Sequence, residues 1–137
     1  MPRVTEPVAV VEKWLSDSAK TATEGRHAAF MDLISNKVSL LGVPEFELIN
    51  YDDWYIQAKS EFSDGTVSEV HYASAQIVAS GLISIIFRTV ETVVLRDGPS
   101  DINGIEGVLQ KEEDGKWRLT HQRLLSRDEA GRCNLLL

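Results

Sequence analysis

Asp114-Gly-Lys-Trp-Arg-Leu-Thr-His-Gln-Arg-Leu-Leu-Ser126 reads as a tight turn feeding a strand. Asp114-Gly115 is a turn pair that tolerates positive φ, and strand-like runs flank it on both sides, Ile102–Lys111 before and Lys116–Leu125 after. That combination is a strong hairpin signal. Working back from it, Thr66–Val78 and Leu82–Leu95 carry the same period of two, with turns at Ser80-Gly81 and Asp97-Gly98-Pro99. The first two runs are long for a flat sheet, so bulges and bending are expected in them.

Further upstream the period becomes helical. Val8, Val11, Leu15 and Ala19 line one face of a helix over residues 6–19, with Thr5 as its cap and Pro7 in its first turn. His27, Phe30, Met31 and Ile34 fall at i, i+3, i+4, i+7 and predict a second helix after Thr23. Residues 37–42 read as a brief strand, broken by Gly42 and Pro44. Asn50 then caps a third helix, with Asp52 and Asp53 in its first turn and Asp64-Gly65 at its end. Helices first and strands later make an α+β domain, N-terminal helices packed on a strongly curved antiparallel sheet. Residues 1–126 are read as that domain and 127–137 as a loosely held tail.

The composition narrows the function classes. The formal net charge is −7, with no cluster of Lys or Arg, so a phosphate backbone would be repelled and nucleic acid is not an expected partner. No apolar run approaches the roughly 20 residues a membrane helix needs. The N-terminal stretch lacks the apolar segment of a cleavable leader, which makes the cytoplasm the expected location. Cys133 is the single cysteine, which excludes an internal disulfide and a cysteine-based metal cluster. His27, His71 and His121 fall on different elements without ligand spacing, so no metal is expected. No glycine-rich phosphate loop precedes a helix, and no cofactor is expected.

The element order, closed by the Asp114–Ser126 stretch, resembles the nuclear transport factor two-like, ketosteroid-isomerase-like superfamily with its cystatin-like cone. Within it the chain is similar to the polyketide-cyclase-like small proteins. The resemblance implies helices over a bent sheet, one apolar pocket open at an end, and a homodimer formed through the outer sheet face. Two positions depart from the family pattern. Where the isomerases carry a catalytic aspartate, this chain reads Leu40-Leu41-Gly42-Val43-Pro44, with no acid until Glu45. Arg123 stands where many relatives have a second histidine.

On an ideal closing strand Trp117, Leu119, His121 and Arg123 share one face, and the two apolar residues turn that face inward. His121 is then a candidate acid or base and Arg123 a candidate anion holder; the plain alternative is a polar niche for His121 and an interface pair for Arg123. Arg88, in the apolar run Ile85-Ile-Phe-Arg-Thr-Val90, needs an acidic partner, with Glu69, Glu106 or an anionic ligand as candidates. Trp14, Tyr51, Trp54, Tyr55, His71 and Trp117 are the candidate ligand-binding residues, each with core or strand packing as its alternative. A tyrosine hydroxyl among them could donate to a ligand carbonyl. The expected ligand is a small apolar or carbonyl-bearing molecule, handled by proton transfer or only bound. Apolar residues on both faces of Leu82–Leu95 support the dimer, since a sheet buried on both sides needs a second cover.

Overall fold

The computed structural model describes residues 6–135. Helix α1 spans Pro7–Thr23, with Pro7 in its first turn, where a missing N–H costs nothing. Thr5, the expected cap, lies outside the described residues, and Glu6 holds the N-cap position with no side-chain bond. The helix runs four residues past Ala19 because Thr21 and Ala22 are themselves buried. The second helix, α2, covers only His27–Met31. Ile34 was expected to close its apolar stripe; instead it opens strand β1, Ile34–Leu41, and pairs with Leu119. Pairing with the closing strand outweighs the local helical spacing there.

Helix α3, Tyr51–Asp64, begins as its residues dictate. The Asn50 side chain accepts from the Asp53 N–H and the Asp53 carboxylate accepts from the Asn50 N–H, a complete capping box. Gly65 ends it at φ +66, the left-handed conformation that favours glycine.

Four further strands were expected, and the structure has five: β2 Val67–Tyr72, β3 Gln76–Ser80, β4 Ser84–Leu95, β5 Asp101–Lys111 and β6 Trp117–Leu124. The run 66–78 is therefore broken. Both pieces lie along β4, β2 against its second half and β3 against its first. The joint at Ala73 is held from the β4 side: its N–H donates to the Val90 carbonyl and its carbonyl accepts from the Thr89 hydroxyl at 2.7 Å. The sheet order is β1-β6-β5-β4-β2, with β3 also on β4; β1 and β6 are parallel and the other pairs antiparallel.

Inward residues of the sheet, Ile85, Phe87, Leu109 and Leu119, pack under Val11, Trp14 and Leu15 of α1 and under Phe30 and Met31 of α2. Gly107 makes room for Phe87 across the ladder, because a Cβ there would stand 2.6 Å from the ring. Residues beyond Ser126, expected to be loosely held, form helix α4, Arg127–Arg132. Ser126 caps it, and Ala130 and Leu135 bury Val90 and Leu125 on the outer sheet face. A Cβ at Gly104 would sit 3.1 Å from the Ala130 Cβ, so the glycine permits that close approach.

Candidate functional site

One irregularity in β6 decides which side chains face the concave side. The β5–β6 register shifts between Val108 and Leu109: Val108 pairs with His121 and Leu109 with Leu119. Thr120 is the extra residue, and a single bulge reverses the alternation beyond it. Leu119 points into the core, but Gln122 and Leu124 are the next residues to line the concave side. His121 and Arg123, expected inward with Trp117 and Leu119, are thereby turned outward.

Beneath α1 and α3 the sheet encloses an open cavity of about 1050 Å³. Its walls are mainly apolar, from Trp14 and Ala22 of α1, Trp54 of α3, Val70 of β2 and Val93 of β4. Trp14 is oriented by an N–H bond to the Leu33 carbonyl at 2.9 Å. Loop residues Val43, Phe46 and Ile49 border the opening, and the Phe46 side chain is 60% exposed. Gly42 sets that loop's course at φ +87, where a Cβ would lie 2.8 Å from the Leu124 carbonyl oxygen.

The cavity's polar centre is a row of neighbours across the sheet. Tyr72 of β2 is the cross-strand partner of Glu91 of β4, and Glu91 is the partner of Asn103 of β5. All three line the cavity. The Tyr72 hydroxyl donates to Glu91 Oε2 at 3.1 Å, and Ser18 of α1 lies 3.2 Å from the same hydroxyl. Since Tyr72 gives its only proton to Glu91, the Ser18 hydroxyl donates to Tyr72, and the chain runs Ser18 to Tyr72 to Glu91. Burial raises the Glu91 pKa above the usual glutamate range, with the Tyr72 bond opposing part of that rise. Burial, then the charge of Glu91, push the Tyr72 phenol well up. No described Lys, Arg or His lines the cavity. A carboxyl whose pKa burial raises, held by a phenol in an apolar space, can exchange protons with a bound molecule.

The residues singled out from the sequence divide sharply. Trp14 and Trp54 line the cavity, whereas Tyr51, Tyr55, His71 and Trp117 do not. Tyr51 and Trp117 pack at the margin of the core, and Tyr55 is 39% exposed. His71 faces out from β2, 3.3 Å from Glu69. His27 is satisfied by the Tyr55 carbonyl at 2.9 Å and packs edge-on to the Tyr55 ring. Arg88, Arg123 and His121 are brought to the outer face. Arg88 donates to Glu106 at 2.8 Å, one of the partners expected for it, and Arg123 pairs with Glu129 at 2.7 Å and Glu106 at 3.5 Å. The Glu129 bond, and then its charge, raise the Arg123 pKa. His121 Nδ1 lies 3.2 Å from the Thr120 hydroxyl, and His121 lines a second open depression of about 820 Å³ together with Tyr51. In that depression Arg118 forks onto Asp114, Glu112 and Asp32; its bond holds Asp114 below the usual carboxylate range, and the Lys116 bond at 2.9 Å, with Arg118 second, does the same for Asp32. The described residues contain no cluster of His, Cys, Asp and Glu suited to a metal.

Glu91 and Tyr72 were not singled out together from the sequence, yet the signal was present. Glu91 shares strand parity with Phe87 and Val93, so a carboxylate on the core side of an apolar strand was there to be read.

No family model and no curated protein matches the sequence. Solved structures do match. An NTF-2 like protein of unknown function from Shewanella oneidensis MR-1 superposes with a TM-score of 0.74 at 14% identity, over 87% of this chain and 98% of that one. A scytalone dehydratase-like protein from Novosphingobium aromaticivorans DSM 12444 gives 0.71 at 14% identity, over 85% and 80%. A ketosteroid isomerase-like protein from Erwinia carotovora atroseptica SCRI1043 gives 0.63 at 18% identity, over 89% and 98%. The chain therefore has the NTF2-like, cystatin-like fold, the architecture that its closing strand resembles. No described helix is long and apolar enough to cross a membrane.

Proposed function

We propose that this protein binds a small apolar, carbonyl-bearing molecule in the concave cavity and moves a proton on it, with Glu91 as acid or base and Tyr72 as the donor that holds it. The observation that carries this reading is a half-buried carboxyl with a raised pKa, bonded to a phenol and lining an apolar cavity. Isomerisation, cyclisation and dehydration all need such a group. The names of the isomerase-like and dehydratase-like structural neighbours are in keeping with it. His121, Arg123 and Arg88 take no part in this chemistry, since none of them lines the cavity. The expected cytoplasmic setting belongs to the same reading.

The test is hydrogen exchange on a simple apolar ketone. With 2-tetralone in D2O, wild-type protein accelerates loss of the α-proton signal in NMR spectra, and Glu91→Gln does not. Equal rates for the two proteins would end the catalytic reading.

A second reading, association through the outer sheet face, is favoured by apolar residues at both ends of that side, Ile102, which is 47% exposed, at one end and the half-buried Ile86 and Val108 at the other. Helix α4 covers only the Val90–Gly104–Leu125 corner. We take a second copy of the chain as the cover for the rest. Light scattering after size exclusion gives a dimer mass on this reading; a monomer at all concentrations contradicts it.

A further inference from the structure

The charge of the cavity wall says more than its size. Four carboxylates line it and no described cation does: Glu91 at the sheet centre, Asp53 and Glu61 along α3, and Asp101 at the start of β5. Asp53, Gln57 and Glu61 follow at i, i+4, i+8, so one edge of α3 presents two acids to the opening while Asp101 presents a third from the sheet side. The cation that follows the wall in sequence, Arg96 after Leu95, lies 3.5 Å from Asp97. Gln122 adds a polar group aimed at the same space. The residue is 7% exposed and lines the cavity, and its amide, with no hydrogen bond to a described side chain or backbone group, is open to the cavity. An amide placed there is free to bond a molecule that enters.

We propose that the cavity takes an apolar molecule bearing a protonated amine and refuses the matching carboxylate. The apolar body occupies the tryptophan-walled interior, and the ammonium meets carboxylates that have no cation of their own in the wall. Acids of one sign set in low-dielectric walls focus their field into a cleft, and the net charge of −7 adds to it. A carboxylate ligand would have to enter against that field with no cation to receive it. The inference rests on the cavity being a ligand site, as proposed above.

Three fluorescent probes with one apolar body separate the two ideas: pyren-1-ylmethylamine, pyren-1-ylmethanol and pyren-1-ylacetate, titrated into the full chain at neutral pH and low salt. The amine is expected to bind at least about tenfold more tightly than the alcohol, and the carboxylate at least about tenfold more weakly. High salt should compress the amine-to-alcohol ratio, since the rim acids are reached by solvent. A double variant, Glu61→Gln with Asp101→Asn, should reduce that ratio about threefold or more. If the alcohol binds but the amine binds no better, or the carboxylate binds best, the charge inference falls while the cavity reading stands. If none of the three saturates, the cavity reading falls and takes the charge inference with it.

Discussion

The two faces of β4, β5 and β6 handle charge in opposite ways. On the outer face every strand contributes to a chain of ion pairs: Arg88 to Glu106, Glu106 to Arg123, Arg123 to Glu129 on α4. On the inner face of the same strands, among the described residues, the carboxyl of Glu91 has no cation beside it in the cavity wall, only the Tyr72 phenol. The outer arrangement neutralises itself and leaves little for a ligand to do. The inner one keeps a group whose ionisation burial makes harder than in a free glutamate and whose state a bound molecule would change. Chemistry is to be sought where charges are left incomplete, and here that is the concave side.

Substitutions that break the comparison should rank by face. Phe87→Ala, on the inner side and fully buried, is expected to cost about 3–5 kcal/mol in urea unfolding. Its neighbour Arg88→Ala, on the outer side with a side chain 30% exposed, should cost about 1 kcal/mol or less. Equal costs would mean that the two faces are not distinct. Gly107→Ala comes between them. The added Cβ would stand 2.6 Å from the Phe87 ring, within a packed core, and overpacking of that kind costs about 1–3 kcal/mol.

Glu91→Gln gives a smaller effect that depends on pH. The folded-state pKa of Glu91 is raised above the ordinary 4.5, so the stability linked to its proton is fully present below about 4.5 and is lost as the pH rises through the folded value. The glutamine variant lacks that loss. Relative to wild type it should gain stability on going from acidic to neutral pH, measured as the difference in urea midpoint at several pH values. A difference independent of pH would show that Glu91 is already solvated. The smallest effect is expected from His121→Ala, which should leave ketone exchange and probe binding as they are in wild type.

These outcomes bear on how far the residues spoke for themselves. The α3 capping box was legible because Asn50 and Asp53 act locally, and so was the Asp114-Gly115 turn, where Gly115 takes φ +84. The alternation of β4 was legible too: Ile85, Phe87 and Val93 face the core side, Ile86 and Val90 the other. The Thr120 bulge was not. Neither Thr120 nor His121 marks a bulge by its own chemistry, because the extra residue is defined only by the strand beside it. That one residue carries His121 and Arg123 to the outer face, away from the cavity. The break at Ala73 was hidden for the same reason, since it is held by Thr89 and Val90 from the neighbouring strand. Ile34 obeyed a helical spacing but was claimed by β6.

The most direct test of the inner-face site is the carboxyl titration of Glu91, followed by NMR on protein labelled with carbon-13 at the glutamate side-chain carboxyl and assigned by comparison with Glu91→Gln. An inflection above the ordinary glutamate range is expected, and it shifts when Tyr72→Phe removes the phenol. An inflection at the ordinary value, indifferent to Tyr72, would contradict it.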